Sequence, residues 1–167
     1  YQQMYQPHLP GEYRDVGRPT RITPLYESLK DAGAVYGDTF GWERAKWYAP
    51  KGGEEEYGFR RNNSFDAVAQ ECRAVREAVG LTDLTSFSKY EVTGADANAL
   101  LQRVCANQVP RHDGIVVLSQ MLTTLGGIES EATVTRLAEN HYYLLSSAVA
   151  ELHDLDWLVQ HIDPGEK

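Results

Sequence analysis

The stretch from Ile115 to Ser146 constrains the fold more than any other, because three strand-type runs follow one another with only turn residues between them. Ile115 to Leu122 is a β-type apolar run, and Leu125-Gly126-Gly127 turns the chain. Ile128 to Leu137 then alternates. Glu129, Glu131, Thr133 and Thr135 fall on one side, and Ile128, Ser130, Ala132 and Val134 on the other. Tyr142 to Ser146 returns as a hairpin partner across Ala138 to Asn140. Runs joined this closely pair antiparallel.

Helical periods flank these runs. Phe65, Val68, Ala69, Cys72, Val75 and Val79 recur at helical spacing, with Gly80 as a C-terminal cap. After a strand around Ser88 to Thr93, the spacing of Ala97, Leu100, Leu101, Val104 and Cys105 predicts a second helix, ended by Asn107 to Pro110. Leu152, Leu155, Val159 and Ile162 give a last helix one apolar face before Pro164 and Gly165. Upstream, residues 1–23 read as a linker, Thr23-Pro24 as the start of a short helix ending at Gly33, and the aromatic stretch 36–57 as a packed loop or short strands. The fold class is α+β, an antiparallel sheet with packed helices.

The 167 residues are room for one domain or two small subdomains. The 16 Lys and Arg against 24 Asp and Glu give a net charge of −8, which argues against a nucleic-acid backbone as the main partner. The longest apolar run, Ile115 to Leu118, is too short to span a membrane, and no charged-then-apolar leader opens the chain, so a soluble, intracellular setting is expected. The two cysteines, Cys72 and Cys105, both fall on apolar helix sides and read as reduced core thiols. None of the five histidines is paired one helical turn from another, so no metal site is expected. Gly52-Gly53 and Gly126-Gly127 lack the spacing of a phosphate loop. Residue chemistry alone stops at an α+β domain.

Two segments carry a family resemblance. GWERAKWYA (41–49), with RPTRITPLYESLKDAGAVYGDTF before it, resembles the segment joining the flavin module to the folate domain in dimethylglycine and sarcosine dehydrogenases. From Ser64 to about Ile162, the motifs ECRAVREAVGLTDLTSFSKYEVTG, LLQRVCANQV and MLTTLGGIESEATV resemble the start of the aminomethyltransferase domain that those enzymes share with the glycine-cleavage T-protein. The resemblance implies that residues 1–57 are a connector and the end of the flavin module's central region. Residues 58–167 would be the N-terminal part of a T-protein-like folate-binding domain. It also implies a fragment, consistent with a chain that begins at Tyr1.

In such enzymes the flavin module oxidises an N-methyl amine to an iminium, and the folate domain passes the one-carbon unit to tetrahydrofolate. The expected small-molecule partners are therefore tetrahydrofolate and an N-methyl amine, with FAD held only by an upstream module of the intact protein. The expected setting is a bacterial cytoplasm or a mitochondrial matrix. A T-protein-like aminomethyltransferase or demethylase is the nearest alternative, and a non-catalytic folate-binding or interaction domain is the other.

By the resemblance, Glu131 occupies the position of the family's catalytic carboxylate, usually Asp. A carboxylate there can stabilise the cationic iminium, orient the attacking nitrogen and accept the released proton. By alternation alone, Glu129 and Glu131 would be the solvated face of a strand. Phe87, Leu118 and Leu145 would sandwich the pterin ring, with Thr133 and Ser147 offering hydroxyls to its polar edge. On residue type alone the three apolar side chains are ordinary core, Thr133 a β-former, and Ser147 a cap for the last helix. Leu118 stands where many relatives have Tyr, and Thr123 where Asn is usual. Trp42, Glu43, Arg44 and Trp47 are expected at an interface with the flavin module, and Arg73 and Arg76 at the surface.

Overall fold

The aromatic stretch left open as loop or strands folds as a hairpin, and Phe40-Gly41 is the reason. In the computed structural model, which describes residues 5–49 and 52–167, both turn residues take positive φ, 51° and 82°. That is the two-residue hairpin geometry. After a short helix α1 (Tyr26–Asp31), strand β1 (Ala34–Thr39) therefore pairs antiparallel with β2 (Trp42–Tyr48), Thr39 opposite Trp42. Gly33, at φ 90°, precedes β1, and a Cβ there would lie 2.7 Å from the Ala49 carbonyl oxygen. Only glycine fits that approach. Residues 1–4 of the linker and residues 50 and 51 of the aromatic stretch lie outside the described residues.

Part of the expected linker is docked. Arg21 bridges to Trp42 in parallel, its N–H donating to the Gly41 carbonyl at 2.9 Å and its carbonyl accepting from Glu43 N–H at 2.9 Å. Its guanidinium lies 4.1 Å over the Trp42 ring. Arg18 donates from Nε and Nη2 to the two oxygens of Glu43 at 2.8 and 2.6 Å. Glu43 and Trp47 are buried. Of the side chains expected at an interface, Trp42 and Glu43 thus make local contacts.

Helix α2 (Phe65–Glu77) forms where the spacing places it, and the Tyr48 N–H donates to its Glu71 carboxylate at 2.8 Å. None of its residues is buried. Cys72 is exposed, which corrects its reading as a core thiol, whereas Cys105 is buried and burial pushes its thiol pKa up. Periodicity reports which side of a helix is apolar, while burial needs a second surface to meet it. Arg73 and Arg76 are exposed as expected.

By compactness the chain divides into Tyr1–Ser86 and Phe87–Lys167. The second unit contains β3 (Ser88–Thr93), α3 (Ala97–Val104), β4 (Val116–Leu122), β5 (Ile128–Ala138), β6 (His141–Ser146), a 3-10 turn (Ala148–Ala150) and α4 (Glu151–Gln160). Its four strands lie in the order β3-β6-β5-β4, every pair antiparallel. One sheet face carries Met121, Ala132, Val134, Tyr142 and Leu144 into a core with Leu100, Leu101 and Val104 of α3 and Leu158 of α4. The outer edge of β4 is covered by the chain leaving α3. Ala106 N–H donates to the Gln120 carbonyl at 2.8 Å, and the Asn107 amide to the Leu118 carbonyl at 2.7 Å.

Two expectations in this unit change. The buried side of α4 is Asp154 and Leu158, while Leu152, Leu155, Val159 and Ile162 are exposed. Leu155, Val159 and Ile162 instead line a groove of about 290 Å³ with Tyr90, Val92 and Leu100. Ser147 makes no side-chain cap; its carbonyl accepts the Ser88 hydroxyl at 2.9 Å.

Candidate functional site

Pairing register brings the predicted residues together. Leu118 lies opposite Thr133, Thr133 opposite Leu145, and Leu145 opposite Lys89, so these four form one row across the sheet. Directly opposed residues share a face. Two residues along, Gln120 lies opposite Glu131. Ser147 and Phe87 are the chain neighbours of the last pair, Ser146 opposite Ser88, at the end of the sheet where Ala132 lies opposite Ser146. Leu118, Glu131, Thr133 and Leu145 therefore sit on the face opposite the core, while Phe87 and Ser147 lie just beyond the paired ends of β3 and β6.

That face is open among the described residues. Leu118 is 51% exposed, Glu131 and Ser147 are exposed, and Phe87, Thr133 and Leu145 are half-buried. Along its best-defined row, apolar Leu118 and Leu145 flank Thr133 and Lys89 closes the row, with Gln120 and Glu131 beside it. None of the six lines the α3/α4 groove or the polar cavity of about 430 Å³ beside Arg111 and Arg136.

Glu131 is held by a group that spacing did not reveal. The Gln120 amide donates to Glu131 Oε2 at 2.6 Å across β4 and β5. The sequence does not signal it: stepping evenly back from Leu122 opposite Ile128 would set Gln120 opposite Ser130, and the register shift between Met121 and Leu122 brings Glu131 there instead. Thr123, where Asn is usual, closes this turn. Its N–H donates to the Gly127 carbonyl at 2.8 Å, and its hydroxyl accepts from Gly127 N–H at 3.1 Å.

The simple alternation of β5 fails at its start. Met121 pairs with Ser130 but Leu122 pairs with Ile128, so Glu129 is the extra residue of a bulge. The bulge turns Glu129 away from Glu131 and toward α4, where it lies 2.8 Å from His153 Nε2. His153 Nδ1 lies 3.0 Å from Asp154, which is fully buried. The Asp154 hydrogen bond, followed by the one to Glu129, raises the His153 pKa above its ordinary value. The two glutamates expected on one face are thus divided, with Glu131 on the open wall and Glu129 locked to a helix.

Comparison with known proteins now decides the family. Residues 25–166 match the GCVT N-terminal domain. The chain belongs to that family. It is 37% identical over 152 residues to mouse mitochondrial dimethylglycine dehydrogenase, covering 89% of this chain and 17% of that protein. It is 35% identical over 150 residues to the 4-methylaminobutanoate oxidase (formaldehyde-forming) of Paenarthrobacter nicotinovorans, covering 89% and 18%. The crystal structure of the glycine cleavage system aminomethyltransferase T from Bartonella henselae superposes with a TM-score of 0.71 at 26% identity, over 88% of this chain and 37% of that one. The α+β, T-protein-like architecture is therefore shown, and the named relatives are enzymes. The chain spans less than a fifth of the length of the two matched oxidoreductases. Among the described residues, no helix is long and apolar enough to cross a membrane.

Proposed function

We propose that the open sheet face is one wall of a tetrahydrofolate site in an enzyme of the dimethylglycine/sarcosine dehydrogenase type, in which this chain joins the flavin module to the folate domain. The observation that supports it best is the register that sets Glu131 beside the row Leu118, Thr133 and Leu145 on the face away from the core. Bound tetrahydrofolate supplies the amine that takes up the one-carbon unit. Phe87, Leu118 and Leu145 exclude water from the ring, and Thr133 and Ser147 orient its polar edge. As the carbon of the iminium bonds to the folate nitrogens and its bond to the substrate nitrogen breaks, releasing the demethylated amine, Glu131 steadies the positive charge and accepts the one proton set free. FAD belongs to the upstream module, with residues 1–57 as connector and 58–167 as the start of the folate domain. The setting is a mitochondrial matrix or a bacterial cytoplasm.

The test is tetrahydrofolate calorimetry and turnover on the full-length protein, with Glu131→Gln as the paired variant. Micromolar binding is expected, with methylenetetrahydrofolate formation falling about 100-fold in the variant while amine-driven flavin reduction is kept. Equal turnover by the variant would remove Glu131 from the chemistry. A second reading comes from the formaldehyde-forming relative, namely that the one-carbon unit leaves as formaldehyde without folate. In that case added tetrahydrofolate would not reduce the formaldehyde yield.

A further inference from the structure

Gln120 sits where no residue pattern drew attention to it, yet its side chain is the one that holds the carboxylate at the centre of the wall. Its amide donates to Glu131 Oε2 at 2.6 Å. The pair is directly opposed in the β4/β5 register, so the contact needs no unusual reach. The backbone beneath Gln120 is fixed as well. Its carbonyl accepts from Ala106 N–H at 2.8 Å and from the Ser119 hydroxyl at 3.2 Å, while Asn107 holds the Leu118 carbonyl two residues away. Core-facing Ser119 and Met121 on either side of Gln120 are buried, which sets the strand's facing.

A glutamate has one more rotatable bond than an aspartate and so more ways to misplace its charge. We infer that Gln120 is a positioning residue for Glu131, fixing one carboxylate oxygen so that the other faces the one-carbon transfer. The inference rests on Glu131 carrying that step. The amide also serves as a donor that adds no charge. A lysine at the same place would compete with the cationic substrate for the carboxylate, whereas a glutamine orients it and leaves its charge available.

The experiment is a double-mutant cycle in the full-length protein, combining Gln120→Met with Glu131→Gln and measuring methylenetetrahydrofolate formation, the KM for tetrahydrofolate and amine-driven flavin reduction. Gln120→Met keeps length and strand character but has no donor. It should lower kcat about 10-fold with the tetrahydrofolate KM and flavin reduction within about twofold of wild type. In the Glu131→Gln background the same change should have almost no further effect. Gln120→Glu, which sets two carboxylates face to face, should lower kcat more than Gln120→Met, and Gln120→His, which restores a donor, should recover part of the rate. An equal loss from Gln120→Met in both backgrounds, or no loss in either, overturns the positioning role while leaving Glu131 in place. Full activity of Glu131→Gln alone overturns the reading of Glu131 and this inference with it.

Discussion

At the residue scale, the most strongly constrained ionic contact lies outside the candidate wall. Arg18 grips both oxygens of Glu43, and Glu43 is only 3% exposed. A buried carboxylate needs its counter-charge, because removing one partner leaves the other desolvated without compensation. The Arg18 side chain keeps 17% of its exposure, so the loss should fall below the roughly 3–5 kcal/mol of a fully buried pair. Glu43→Gln is expected to destabilise the protein by about 2 kcal/mol, read as a lowered urea midpoint. An unchanged midpoint would show that water takes over Arg18 at no cost. The pair also marks a limit of sequence reading. Glu43 sits in a motif of aromatic and basic residues, and nothing local announces that its partner is 25 residues upstream in a stretch rich in proline and glycine.

At the element scale, the strands and helices of the second unit follow directly from period and turn chemistry. The alternation of Ala132 and Val134 against Glu131 and Thr133 is the burial pattern that β5 shows, with the first pair buried and the second facing away from the core. Of the six site positions taken from the family resemblance, the strand register sets Leu118, Glu131, Thr133 and Leu145 on one face. Two features were not legible. A bulge is one residue of miscount between two strands, set by the partner's register rather than by β5 itself, so the departure of Glu129 could not be seen. The exposure of α2 and of one α4 face depends on surfaces that the periodicity of a helix does not describe.

The bulge yields a pH-dependent expectation. His153 gains Asp154 and Glu129 as partners on folding, and its pKa is raised. A raised folded pKa means that the stabilisation is fully present below the unfolded value, about 6.5, and fades as pH rises through the folded value. His153→Gln, neutral throughout, should therefore lower Tm most near pH 5.5 and progressively less toward pH 9. His153 is half exposed, so solvent screening keeps the effect modest. A Tm difference that is flat with pH would mean that His153 acts through its shape rather than its charge.

At the scale of the whole molecule, the apolar surface left uncovered is the dominant fact. Along α2 and just beyond it, Phe65, Val68, Val75 and Val79 are exposed, Val79 to 86%. On α4, Leu152 and Val159 are exposed to 73% and 56%. Single exposed apolar residues are ordinary, but stripes at helical spacing are contiguous, and contiguous apolar surface associates because it is removed from water on contact. Net charge of −8 opposes close approach, yet its reach in physiological salt is only about 8 Å, too short to keep such stripes apart at high protein concentration. The 167-residue chain on its own should therefore self-associate, its weight-average sedimentation coefficient rising with concentration. Val75→Lys with Val79→Lys, and separately Leu152→Lys with Val159→Lys, should each weaken that rise, since a lysine sets a charge into the apolar surface and, at the three helical positions, keeps helix propensity. The pair with the larger effect identifies which helix face drives association. A monodisperse monomer of the unaltered chain at every concentration would show that neither stripe is large enough to hold two copies together.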